Sequence, residues 1–237
     1  MNEWTSVFNS PYWLLFLLFF LFQFSLWLKK RLNLALINPT LITTVGLIAY
    51  LLASNTPYEK FNDASRYITF WLQPAVVCLA VPLYVQWQKI KSQWLAIMVS
   101  QIVGCVVGIA SGVLLALWLG GSQQAALSVA AKSVTMPIAI EVTRNIGGVV
   151  GINSATVLIA GVLGQIVGLA FFALTQIKSP MAQGVAMGTA SHALGIASIM
   201  HFGARYVAYG TVGLIVNGIL TAFIAPLLVP VLMKMAI

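Results

Sequence analysis

Residues 11–28 read PYWLLFLLFFLFQFSLWL, without a single charge. A bilayer core about 30 Å thick is crossed by roughly 20 apolar residues in a helix. The run is continuous rather than striped, so no helical face is reserved for water. Glu3 precedes it, and Lys29, Lys30 and Arg31 follow it. A signal peptide carries its positive charge before the apolar run. The order here predicts a stop-transfer anchor with the N-terminus outside.

The same solvent is implied throughout. The chain has 237 residues, of which 60% are hydrophobic and 7% charged. A soluble domain carries about 25% charged residues. The net charge is +8, but the Lys and Arg residues sit mostly at the ends of apolar runs. That is where the cytoplasmic face of a membrane protein collects them, so no nucleic-acid partner is expected. Cys78 and Cys105 lie inside apolar runs and read as small hydrophobes. There is no CxxC and no His/Cys spacing for zinc, so neither a metal nor a cofactor is expected.

Six plain spans are predicted, at about 11–28, 34–53, 66–86, 94–119, 152–175 and 206–233. Two segments, about 125–143 and 181–199, are less apolar and interrupted. The fold class is therefore all-α, a polytopic helical membrane protein forming one transmembrane domain over 1–237. The basic cluster 29–31 and the pair Lys89 and Lys91 are expected inside, and the 54–65 loop and the uncharged GGSQQ of 120–124 outside. The interrupted segments either cross once or dip in and return. Both arrangements place Arg205 inside and the C-terminus outside, and only the re-entrant one places Lys178 inside.

Gln101-Ile102-Val103-Gly104 recurs as Gln165-Ile166-Val167-Gly168, each within a long span. A small-residue segment follows each, VAAKSVTMP (129–137) and VAMGTASHA (185–193). Repeat-like units, candidates for an inverted pair, are thus expected at about 94–145 and 152–205. Duplicated units with broken helices point to a transport site at their interface. Small residues also recur in any packed transmembrane bundle.

Irregular backbone at membrane depth is tolerated only where it is buried or lines a cavity. In the first segment, Pro137 lacks an N–H and should break or kink the helix. The Ser133 and Thr135 hydroxyls, freed carbonyls and a half-helix N-terminus then converge beside Lys132. Such a constellation suits a carboxylate or phosphate. The plainer alternative is that Lys132 reaches an interface and Pro137 only bends the helix. Glu141 and Arg144, three apart, share a helical face. They form either a structural ion pair or, through Glu141, a proton-coupling site, with Asn145 a possible cavity residue. In the second segment Thr189, Ser191 and His192 are candidates, since a polar ring within lipid is costly. Gln73, before Pro74, either faces a cavity or belongs to a kinked packing helix. No GxSxG, HExxH or Walker loop is present, and no enzyme is expected.

The run from Ala131 to Ala139, AKSVTMPIA, followed by Ile146-Gly147-Gly148, resembles the LrgB/CidB/YohK family. GTASHALG (188–195) resembles its second signature, and LAVPLY (79–84) a third. Met136 and Ala193 stand where members commonly have Thr and Gly. The resemblance implies one of two roles. Bacterial members are named holin-like or antiholin-like and linked to murein hydrolase control and lysis, beside a small LrgA/CidA/YohJ-type membrane protein. A plastid relative with both partners fused is a glycolate/glycerate translocator, and bacterial pairs have been connected with pyruvate uptake.

The expectation is therefore an inner-membrane secondary transporter for small monocarboxylates or hydroxy acids, working by alternating access. The alternative is an assembly-based regulator of lysis. A homodimer is the default assembly.

Overall fold

The structure, a computed structural model, describes residues 8, 10–32, 38–71, 74, 77–78 and 80–236. Glu3, Gln73, Leu79 and residues 34–37 of the second expected span lie outside the described residues. The described chain is helical, without a strand among the described residues. It forms two compact units, Met1–Cys78 and Leu79–Ile237.

In the first unit, α1 (Pro11–Leu32) ends in Lys29, Lys30 and Arg31, which complement the negative end of the helix dipole. α2 (Pro39–Ala53) starts on Asn38, whose side chain accepts from the Thr40 and Leu41 N–H groups. Pro39 takes the first position, where its missing N–H costs no helical bond. The two helices run antiparallel. Trp13 Nε1 donates to the Tyr50 hydroxyl at 2.8 Å, Leu21 lies against Gly46, and Ser25 meets Thr43 at 3.4 Å. α3 (Tyr58–Thr69) is charged and mostly exposed, with Ala64 its buried residue.

The second unit opens with the short helices α4 (Ala80–Val85) and α5 (Trp87–Ser92). The expected span at 66–86 is thus not one helix. α3 stops at Thr69, and Pro74 and Pro82 fall in the stretch that follows. Among the described residues, four helices are long and apolar enough to cross a membrane. They are α1, α6 (Trp94–Trp118), α9 (Val150–Leu174) and α11 (Ala204–Ala236).

The interrupted segments lie between these long helices. The first comprises α7 (Gln123–Val129) and α8 (Met136–Asn145), with an irregular link at 130–135. The second is α10 (Pro180–Ile199), whose helix is broken at His192, with φ 44° and ψ −137°. Both segments go in and turn back. In the first, Ser133 reaches Asn217 of α11, after which Ile138 lies at Gly218 and Glu141 and Asn145 near Ala222. The Val149 N–H then returns to the Ser128 hydroxyl of α7 at 2.7 Å. In the second, Gly184 packs at Tyr209 and Gly188 at Gly210 and Leu214, and Thr189 reaches Asn217. Beyond the break Ile196 is back at Gly210. Each segment is thus a hairpin folded back along α11.

The hairpins enter from opposite ends of α11 and meet near its middle. The long helices that precede them run antiparallel. Descending α6, Gly112 faces Val129 and Gly104 faces Thr189; ascending α9, Asn153 bonds Ser128 and Gly164 faces Ser191. α6 and α9, each with the hairpin that follows it, thus run in opposite directions along α11. Each end has its own core. Val113, Ala126, Val142 and Val229 pack around the first hairpin, and Ile97, Val185, Ala208 and Val212 around the second.

Candidate functional site

Lys132 sits in the 130–135 link of the first hairpin, where no helical ladder occupies its neighbours. Its Nζ donates to the Gly108 carbonyl of α6 at 2.6 Å. That close approach depends on glycine. A Cβ on Gly112 would lie 3.0 Å from Nζ, and a Cβ on Gly104 would lie 3.2 Å from Thr189 Cγ2. The glycines at 104, 108 and 112 recur every fourth residue, so they line one face of α6, and that face carries both hairpin tips. Gly112→Ala is expected to displace the Lys132 ammonium. Ligand affinity should fall several-fold with a melting temperature close to that of the native chain, a split that binding titration and a thermal melt can read.

Lys132, Ser133 and Thr189 line one cavity of about 680 Å³, with Ser100, Gly104 and Gly108 from α6 and otherwise largely apolar walls. No carboxylate lines it, and Lys132 has no acidic partner among the described residues. An ammonium held by one carbonyl in an apolar chamber has no counter-charge beside it, and burying a charge is costly unless it is paired. A ligand anion is the partner that the arrangement can accept.

The tips are braced by amides that the sequence reading did not assign to the site. Asn217 Nδ2 donates to the Ser133 carbonyl at 3.4 Å and to the Thr189 carbonyl at 3.1 Å. Gln101 Nε2 donates to the Thr189 hydroxyl at 2.5 Å, and that hydroxyl donates to the Val185 carbonyl at 2.7 Å. The available signal was a lone amide in each of two long apolar helices.

The other expected residues lie elsewhere. Thr135 is the residue before α8, without a capping hydrogen bond from its side chain, and Pro137 lies in the first turn. Proline costs no hydrogen bond there, so it helps to start α8 after the break. His192 is buried, and its Nε2 lies 3.1 Å from the Val157 carbonyl. A carbonyl only accepts, so this nitrogen carries a proton and donates. Ser191 packs on Gly164, where a Cβ would overlap its side chain. Ser191 and His192 thus shape the second tip from its α9 side. Glu141 and Arg144 pair at 2.8 Å with both side chains well exposed. With Asn145 they border a different cavity of about 510 Å³.

Antiparallel long apolar helices, each followed by a hairpin, with the tips meeting at a largely apolar cavity, define a polytopic α-helical membrane protein. The chain belongs to the LrgB-like family, which matches residues 18–231. It is 36% identical over 202 residues to the uncharacterized protein YxaC of Bacillus subtilis strain 168, covering 85% of this chain and 88% of that one. It is 34% identical to an uncharacterized protein of Haemophilus influenzae, covering 89% and 91%. The antiholin-like protein LrgB of Bacillus mycoides is 30% identical, over 82% and 85%. No solved structure matches the chain.

Proposed function

We propose that the chain is a secondary transporter of small monocarboxylate or hydroxy-acid anions, of the glycolate, glycerate, lactate or pyruvate class. The observation that carries this reading is Lys132, an ammonium without an acidic partner among the described residues, in an apolar cavity where two hairpin tips meet. The carboxylate binds Lys132, with the Ser133 hydroxyl beside it and Thr189, whose proton is held by the Val185 carbonyl, lining the same cavity. Bound between tips that enter from opposite ends, the anion favours whichever state closes on it, and hairpin movement exposes it to each side in turn. The proposed setting is the bacterial inner membrane, with both termini outside. The proposed assembly is a homodimer working with a small LrgA/CidA/YohJ-type membrane protein.

Uptake of labelled glycolate, lactate and pyruvate into proteoliposomes tests this, with the chain alone and with that partner. Saturable uptake is the expected result. No uptake of any of these acids in either preparation would move the reading to regulation of murein hydrolases and lysis. The antiholin-like naming of relatives favours that second reading.

Glu141 is the obvious alternative carrier of a coupling charge. Its exposed pairing with Arg144 borders a separate cavity, and exposed pairs contribute about 0–1 kcal/mol. Glu141→Gln is therefore expected to leave both uptake rate and melting temperature near native. Loss of pH-gradient dependence in that variant would restore Glu141 as the coupling group.

A further inference from the structure

The turn that leads into the second hairpin sets a lysine beside a cavity. α9 ends at Leu174, and Gln176 has a φ of 56°. This left-handed residue reverses the chain, and the Ile177 N–H returns to the Phe172 carbonyl at 3.0 Å, a common way to close a helix end. Ile177 packs with Phe172 and Ile199. Gln183 Nε2 donates to the Ile177 carbonyl at 2.5 Å, which ties the start of α10 to the same turn. Lys178, next in the chain, is exposed and lines a cavity of about 300 Å³.

The cavity has two kinds of wall. Lys178, Gln176 and Gln183 form its polar side, and Leu169, Phe172 and Phe202 its apolar side. No carboxylate lines it, and Lys178 has no acidic partner, among the described residues. Gln176 Nε2 donates to the Ala173 carbonyl at 2.8 Å. An amide nitrogen has two N–H donors, so Gln176 and Gln183 each keep one for an anion. A lysine just beyond the end of a long apolar helix lies where a bilayer's apolar core gives way to headgroups. Phe171 and Leu174, chain neighbours of the cavity wall, are exposed, which leaves apolar helix surface for an acyl chain.

The charge of this end selects the sign of the headgroup. Gly184 packs at Tyr209, and the Tyr209 hydroxyl donates to Gln93 Oε1 at 2.6 Å. Lys89 and Lys91 of α5, Lys178, and Arg205 at the start of α11 therefore gather at one end of α11. Glu141 is the single acidic residue of 79–237. It pairs with Arg144 near Ala222, about 25 Å along α11 from Arg205 at the usual helical rise. Clusters of Lys and Arg at a membrane surface attract anionic lipids. We propose that the cavity at Lys178 is a headgroup site for an anionic phospholipid, with the phosphate on Lys178 and the Gln176 and Gln183 amides, and the acyl chains along α9. An occupied site braces the entry to the second hairpin, whether or not the chain carries acids.

The test is the melting temperature of the purified full chain in a neutral detergent, at constant ionic strength. Short-chain phosphatidylglycerol, short-chain phosphatidylcholine and glycerol 3-phosphate are titrated in separate arms. A saturable rise with phosphatidylglycerol alone is expected. Lys178→Gln should raise its half-saturating concentration roughly fivefold, and Lys178→Glu should abolish the response. Lys91→Gln removes the same charge from the same end but outside the cavity, and should leave the response near native.

An equal rise with phosphatidylcholine, no saturable rise with phosphatidylglycerol, or equal weakening in Lys91→Gln and Lys178→Gln overturns the site. An equal rise with glycerol 3-phosphate overturns the assignment to a lipid, because a soluble phosphate then suffices.

Discussion

Lys132→Ala is expected to abolish saturable acid uptake while leaving the fold intact. The ammonium is the cation that lines the cavity, and its anchor is a single carbonyl, that of Gly108. A hydrogen bond to a charged group contributes about 1.5–3 kcal/mol, so its loss weakens binding by roughly 10- to 150-fold. The stability effect runs the other way. In the empty protein the charge is unpaired in an apolar chamber, and removing it relieves a burial cost rather than a stabilising contact. The melting temperature of Lys132→Ala should equal or exceed that of the native chain, while glycolate no longer raises it. Lys132→Met, closer in volume, should behave the same way. Binding within threefold of native in both variants, with normal expression, would falsify the role given to Lys132.

Several features of this site were legible as composition. Lysine, two hydroxyls and proline within a few residues of an apolar chain require irregular backbone and a reason for it. The structure places Lys132 and Ser133 on one cavity with Thr189 of the other hairpin. His192 was legible as costly but not as a hinge. On a continuous helix Thr189 and His192, three apart, would share a face. The positive φ at His192 breaks that helix, so Thr189 turns to α6 and His192 to Val157 of α9. A non-glycine residue with positive φ is uncommon, and nothing in local propensity marks one in advance. The same limit applies to Gln101 and Asn217. Each is visible as a lone amide in an apolar helix, but which tip it braces depends on hairpins that turn back rather than cross. The break after Thr69 was foreshadowed by Pro74 and Pro82, whose missing N–H groups disfavour one continuous span.

Gly188→Ala is expected to be the most destabilising single methyl that can be added to the second hairpin. A Cβ there would overlap the Gly210 carbonyl oxygen and lie 2.8 Å from its carbon and 2.9 Å from the Leu214 nitrogen. All three are backbone atoms of α11, so no side-chain rotation makes room and α10 must move as a body. Overpacking of this kind costs about 1–3 kcal/mol and occasionally more, which lowers the melting temperature by about 2–12 °C for a chain of this size. Gly151→Ala is the matched control. It adds the same methyl in the first turn of α9, where a Cβ meets nothing within 4 Å, and alanine is the better helix former. That variant should melt at or slightly above native. The functional consequence of Gly188→Ala follows from the next residue. Moving α10 away from α11 pulls Thr189 off Asn217 and Gln101 together, so uptake and stability should fall in parallel. Lys132→Ala should lose uptake alone. If Gly188→Ala instead kept native uptake and stability, the close approach of α10 to α11 would be wrong, and with it the meeting of the two tips on which the site depends.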